Sequence, residues 1–189
     1  CDAINYEMEN DSFSIDGLRN FMQGLVDGGP TPSGHRTPMV FATIPAWGFD
    51  GPSMRANVWQ IAQCLAAGVH GVLICEMESP EAAQIAIAGA RYKWTWPGVE
   101  QLPLEGCRGA GSQAFAAHIW GLSNAEYSQV ADVWPHNPKG EITMGFKLEN
   151  RRSAESCENI LATKGLAFAE PGPSDNGLSH LGWDAVRSD

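Results

Sequence analysis

The sequence predicts an α/β fold, in the form of part of a (β/α)8 TIM barrel. Strand and helix patterns alternate along the 189 residues, and the strands are continuous apolar runs, which is typical of parallel strands covered on both faces. Acidic residues follow the ends of consecutive strands, where a barrel collects its functional groups. No G-x-G-x-x-G string follows the first strand, which disfavours an open dinucleotide-binding sheet. Five or six strands are expected here and a complete barrel needs about 250 residues, so we expect one partial TIM-barrel domain over residues 1–189.

The first half of the chain alternates regularly. Apolar residues at helical spacing begin at Ile15, behind a possible cap at Ser14, and the Gly-Gly-Pro string at 28–30 ends them. Ser79 and Pro80 form a cap and a first turn for a later helix. These patterns predict strands at 2–7, 39–44 and 71–75, and helices at 15–25, 58–65 and 80–91.

The second half begins with an expected loop at 92–112, which contains Pro, Gly and two tryptophans and is therefore a candidate lid. A capping box from Ser123 to Glu126 precedes a short helix. The apolar runs that follow predict strands at 142–148 and 166–170, with a helix at 153–162 between them.

Composition excludes several classes of function. The net charge of −10 and a pI near 4.8 argue against a nucleic-acid partner, since a phosphate backbone would be repelled. Five scattered cysteines without a C-x-x-C pair indicate reduced thiols, and no apolar run approaches the ~18 residues of a membrane span. We therefore expect a soluble, cytoplasmic protein that contacts no membrane. The chain starts at Cys1, inside or beside an expected strand, which suggests a piece of a longer protein.

Two carboxylates follow the last two expected strands. Glu149 follows the strand at 142–148, and Asp175 follows the strand at 166–170. Because such strand ends meet at one edge of a barrel, these acids could share a hard cation, with Mg²⁺ preferred and Mn²⁺ or Co²⁺ possible. A cation held there would stabilise the enolate formed when a bond breaks next to the carbonyl of a 2-oxo acid.

The turn that carries Asp175 is a candidate substrate-binding element. It runs from Gly172 through Ser174 to Asp175, and its backbone N–H groups could hold the carboxylate of the substrate. The structural alternative is that Glu149 and Asp175 only cap loops or pair with the arginines at 151–152.

The strings AAGVHGVLICEMESPEAAQIAIAGARY, RGAGS, FKLEN and CENILATKGLAFAEPGPSD resemble the HpcH/HpaI aldolase family. These are metal-dependent pyruvate aldolases related to citrate lyase beta subunits and macrophomate synthase. The resemblance covers residues 1–182, and its most specific part is the spacing of 26 residues between Glu149 and Asp175. It implies a (β/α)8 barrel that this chain enters near the second strand and leaves before the last helices, often a hexameric assembly, and metal and pyruvate binding at Glu149 and in the Gly172–Asp175 turn.

The general base differs from the pattern of that family. The family's D-G-E-H string aligns with the segment from Glu7 to Asn10, and asparagine cannot take a proton. A second family histidine aligns with Glu76. The candidates for the base are therefore Glu7, Glu9, Glu76 or a metal-bound water, provided that burial raises the pKa of the carboxylate toward neutrality.

Two basic residues also need a role. The family arginine that neutralises the substrate falls at 43–45 in this chain, so Arg55 is a candidate replacement, against the alternative of an ordinary surface arginine. Lys147 lies two residues before Glu149 on one strand, and both side chains should point to the same face. Lys147 could form a Schiff base, contact the substrate oxyanion, or pair with Glu149 or Glu170.

Together these observations predict a carbon–carbon lyase of the class II pyruvate aldolase type, which acts on a small 2-oxo acid through a metal-stabilised pyruvate enolate. Lys147, Glu7 and Glu76 are its candidate catalytic residues. We also expect a homo-oligomer. The alternatives are a catalytically altered relative that acts as a binding or regulatory protein, and a Schiff-base aldolase that uses Lys147.

Overall fold

A computed structural model describes residues 1–94 and 96–183. Its strands form one sheet in which every pairing is parallel. The strands are β1 (Ala3–Glu7), β2 (Met39–Ile44), β3 (Gly71–Ile74), β4 (Val133–Trp134), β5 (Ile142–Leu148) and β6 (Leu166–Pro171). The order β1-β2-β3-β5-β6 follows the chain, as in a barrel wall, while the two-residue β4 pairs with the first residues of β5. The parallel α/β prediction is therefore confirmed.

Helices follow most of these strands along the chain, and the last of them comes after β6. They are α1 (Ile15–Asp27), α2 (Gly51–Asn57), α3 (Trp59–Ala66), α4 (Pro80–Ala90), α5 (Ala114–Trp120), α6 (Asn124–Val130), α7 (Arg151–Glu155), α8 (Cys157–Leu161) and α9 (Pro173–Leu181). The expected caps are present: Ser14 accepts the N–H of Gly17, Ser79 accepts that of Ala82, and Ser123 forms the capping box of α6.

Several boundaries differ from the sequence prediction. The helix expected at 58–65 is α3, and the separate α2 precedes it because Asp50 caps a new helix start. The helix expected at 153–162 is two short helices, α7 and α8, that meet at Ser156. The sequence prediction also missed α5, β4 and α9. The turn expected at 172–175 is in fact the start of α9, because Pro173 occupies the first turn of a helix.

The two faces of the sheet have different partners. On the outer face, the central strands carry fully buried side chains, among them Val40, Ala42, Ile44, Val72, Ile74, Met144 and Phe146. On the inner face the rings of Phe41 and Phe168 meet edge to face, with centroids 5.3 Å apart. Gly71 and Gly145 make room for these rings, since a Cβ at either glycine would lie within 2.5 Å of one of them. The inner face is thus filled by aromatic rings in the middle of the sheet. The charged groups of this face, such as Lys147, lie nearer the carboxyl ends of the strands.

The segment at 92–112 was expected to be a lid. The rings of Tyr92, Trp94 and Trp96 stack in sequence, and the Trp96 indole N–H donates to the carbonyl of Gln129 at 2.9 Å. The guanidinium of the buried Arg108 lies 4.1 Å from the centroid of the Tyr92 ring. The Trp96 hydrogen bond ties this part of the segment to α6, whereas the ring stacking and the Arg108 contact lie within the segment. Its role as a lid stays a prediction. Among the described residues, no helix is long and apolar enough to cross a membrane.

Candidate active site

A cleft of about 450 Å³ opens at the carboxyl edge of the sheet, and we call it the carboxylate cleft. It is lined by Phe49, Glu76, Glu78, Glu149, Asn150, Arg151, Arg152, Asp175 and Ser179. These residues follow strands β2, β3, β5 and β6, so separate loops converge on one place. Four carboxylates face two guanidinium groups, and this excess of negative charge favours a cation.

Glu149 is the buried centre of the cleft, with no exposed surface. Its Oε1 accepts the backbone N–H of Glu76 at 2.8 Å. Its Oε2 accepts no hydrogen bond from the described residues, although the Lys147 ammonium lies 3.0 Å away. This contact is an ion pair without hydrogen-bond geometry. Gly172 packs against the same oxygen, since a Cβ there would lie 2.5 Å from Oε2.

Glu76 has an unusual backbone that serves this arrangement. Its φ is +52°, a left-handed conformation that costs a non-glycine residue about 1–3 kcal/mol. That residue's N–H is the donor to Glu149, so the hydrogen bond offsets part of the strain. Its carboxylate accepts a hydrogen bond from the side-chain amide of Asn150, which also donates to Glu78. Burial, together with Glu149, Glu78 and Asp175 nearby, raises the pKa of Glu76 despite the Asn150 hydrogen bond.

Asp175 is exposed and lies in the first turn of α9. Helix α9 begins after Gly172 without a side-chain cap. The amide of Asn176 donates to the carbonyl of Leu148 at 2.8 Å, which ties the start of α9 to the end of β5. The structure thus brings Asp175 to the same cleft as Glu149, with Ser174 and Gly172 beside it in the same turn.

Lys147 lies within a cluster formed by Glu9, Cys75 and Glu149, whose ligating atoms lie within 4.8 Å of one another. Its ammonium is 2.8 Å from Glu9 and 3.0 Å from Glu149. Burial acts to lower the pKa of Lys147, but the Glu9 hydrogen bond and the Glu149 carboxylate outweigh it and hold the pKa above its usual value. Burial and the Glu9 hydrogen bond raise the pKa of Cys75, so its thiol stays protonated. The cluster therefore holds an ammonium ion and offers no thiolate.

Two candidate residues lie away from the carboxylate cleft. Glu7 accepts the backbone N–H of Glu9 and lines a different surface cleft, near the start of α1. Arg55 pairs with Glu81 at 3.1 Å, and both side chains are 58% exposed. The sequence prediction missed Asn150 and Phe49. Asn150 could have been found, because it directly follows Glu149, whereas no sequence signal marks Phe49.

The donors of the carboxylate cleft fit a hard divalent cation. They are carboxylate oxygens, the ligands that Mg²⁺ and similar ions prefer. One of them, Oε2 of Glu149, is buried and accepts no hydrogen bond from the described part of the chain. Gly172 approaches this oxygen so closely that a Cβ there would lie 2.5 Å from it, and only a glycine permits this contact. Arg152, one of the expected structural partners of the acids, pairs instead with Glu78 at 3.1 Å.

A parallel sheet whose strands follow one another in chain order, with acids converging at its carboxyl edge, is the arrangement of part of a (β/α)8 barrel. Solved structures confirm this fold. An HpcH/HpaI aldolase/citrate lyase family protein from Burkholderia cenocepacia J2315 matches with a TM-score of 0.71 and 20% identity, over 99% of this chain and 61% of its own. An HpcH/HpaI aldolase from Desulfitobacterium hafniense DCB-2 matches with a TM-score of 0.65 and 18% identity, over 94% of this chain and 55% of its own.

Sequence comparison points to the same group of proteins. The chain is 32% identical over 124 residues to the 5-keto-4-deoxy-D-glucarate aldolase of Escherichia coli strain K12, and equally to that of Shigella boydii serotype 18. The match covers 65% of this chain and 41% of the relatives, so the chain spans less than half the length of the curated relatives it matches. No family model matches the chain. The resemblance to the HpcH/HpaI aldolases expected from the sequence is confirmed in these terms: the curated relatives are named as aldolases, and solved structures named for that family share the fold.

Proposed function

We propose that this protein is a carbon–carbon lyase of the aldolase type, which cleaves or forms a bond next to the carbonyl of a 2-oxo acid with the help of a divalent cation. The observation that carries this proposal is the carboxylate cleft, which is lined by both the buried Glu149 and the exposed Asp175. The relatives named as aldolases support the reaction class. A cation bound there would supply Lewis-acid stabilisation of the enolate.

The residues of the cleft suggest separate roles. Glu149 and Asp175 would hold the cation, because they are the carboxylates that follow the adjacent strands β5 and β6. The first backbone N–H groups of α9, at Ser174 and Asp175, lie at an uncapped helix start, which favours an anionic group such as the substrate carboxylate. The substrate would therefore bind with its carboxylate toward α9.

Glu76 is the base that this geometry favours. It lines the cleft, its pKa is raised, and Asn150 orients its carboxylate. In the cleavage direction it would take the proton of the substrate hydroxyl and return it to the enolate carbon. Glu7 is less suited, because its carboxylate is engaged by its own loop.

The Schiff-base alternative with Lys147 is not favoured. A lysine must lose its proton to attack a carbonyl, and the two carboxylates around Lys147 hold its pKa above the usual value. A binding or regulatory role is the other alternative. It would not explain why the carboxylate of Glu76 has a raised pKa and is held by Asn150 beside the cleft.

The test is pyruvate release from a 4-hydroxy-2-oxo acid, measured with EDTA and again after Mg²⁺ is restored. EDTA should abolish activity, and Glu149→Gln should lower kcat/KM by about 100-fold or more, because a cation ligand is lost. Glu81→Gln is the matched control, since Glu81 pairs with Arg55 at the surface. Activity that persists in EDTA, with borohydride trapping on Lys147, would establish the Schiff-base route instead. No turnover together with no cation binding would support the binding protein.

A further inference from the structure

The ammonium of Lys147 occupies a position suited to a cation. It lies 2.8 Å from Glu9 and 3.0 Å from Oε2 of Glu149, in the cluster that also contains the thiol of Cys75. Its side chain is only 14% exposed and that of Glu149 is wholly buried, so water screens this contact poorly. The wall of the cleft therefore carries its own positive charge.

That charge neutralises the oxygen that a metal ion would use. The other oxygen of Glu149 already accepts the N–H of Glu76, and Oε2 accepts no hydrogen bond in the described ranges 1–94 and 96–183. A divalent ion on Oε2 would lie a few ångströms from the ammonium, where two positive charges repel strongly in a poorly hydrated site. The ion and Lys147 therefore cannot both hold Oε2 at full strength.

We propose that Lys147 is a built-in cation that competes with the divalent ion for Oε2 of Glu149 and thereby sets a low metal affinity. The inference rests on the proposed metal site at Glu149 and Asp175. Glu9 also holds the ammonium, at 2.8 Å, so Lys147 keeps one carboxylate partner when the ion binds.

The experiment is a calorimetric titration of the metal-free protein with Mn²⁺. Lys147→Met should bind Mn²⁺ about tenfold more tightly than the wild type, or better, because the competing charge is gone. The double variant Glu9→Gln, Lys147→Met keeps the local net charge of the wild type. It should still bind Mn²⁺ at least about threefold more tightly than the wild type. Asp175→Asn should abolish binding in both the wild-type and the Lys147→Met background.

The controls separate this inference from the proposed function. If Asp175→Asn abolishes Mn²⁺ binding but Lys147→Met binds no more tightly than the wild type, competition is excluded and the metal site stands. If the gain vanishes in the double variant, the ion has used the acids that Lys147 vacated, and the inference is wrong. If Asp175→Asn binds Mn²⁺ like the wild type, the proposed site itself is wrong. Should Lys147→Met fail to fold, Lys147→Gln gives the same readout, because its amide can still donate to Glu9.

Discussion

Gly172→Ala should move the loop that holds Asp175. The new Cβ would lie 2.5 Å from both the Cβ and Oε2 of Glu149, and ordinary contact begins at 3.4 Å. Glu149 is fixed by burial and by the Glu76 N–H, so the end of β6 and the first turn of α9 must shift by roughly 1 Å. Overpacking of this kind costs about 1–3 kcal/mol of the free energy of unfolding, which for a chain of this size lowers Tm by about 2–12 °C.

The variant should also weaken function, because Asp175 moves relative to Glu149. A displacement of this size costs up to about 100-fold in kcat/KM when it affects reacting groups. Thermal unfolding and Mn²⁺ titration measure the two effects. Gly24→Ala is the matched control: nothing lies within 4 Å of the added Cβ, and alanine inside α1 should stabilise the protein by about 0.5–1 kcal/mol. If Gly172→Ala has the same Tm and the same Mn²⁺ affinity as the wild type, the close approach of Gly172 to Glu149 is refuted.

Two further predictions concern stability. Burial lowers the pKa of His70 from 6.5 to about 4, so the folded protein binds fewer protons than the unfolded chain between these values. The free energy of unfolding should therefore fall as the pH drops from 6.5 toward 4. Urea unfolding at pH 7.5, 6 and 5 measures this, and His70→Gln should remove the part of the pH dependence that His70 causes. If the free energy of unfolding of His70→Gln falls as steeply with pH as that of the wild type, the assignment to His70 is contradicted. Arg91 and Asp132 form a buried ion pair at 2.7 Å, so Arg91→Met should cost about 3–5 kcal/mol in the same assay. Lys164→Met removes an exposed ion pair with Glu100 and should cost much less. Equal losses in these two variants would show that burial does not strengthen the pair.

Local patterns sufficed for most of the strands and for several helix starts. The strands β2 and β5 fall at the predicted residues, because a short continuous apolar run between polar segments is typical of a buried parallel strand. The capped helices α1, α4 and α6 also begin where their caps predict. Helix α5 was missed because it follows a glycine-rich loop and has no side-chain cap.

Part of the candidate site could likewise be predicted from the sequence, and part depends on tertiary contacts. The sequence alone determined which acids follow which strands, since the parallel α/β alternation fixes the edge at which strand ends meet, and so Glu149 and Asp175 could be named together. The sequence could not decide between the three roles open to Lys147. Contacts between residues far apart in the chain decided its partners: Glu9, 138 residues away, and the buried Glu149 hold the ammonium. They also brought the N–H of Glu76 to Glu149 and the amide of Asn150 to Glu76. Pattern and spacing act along the chain, whereas burial and pairing depend on which loops the folded sheet brings together, and these set the charge of the cleft.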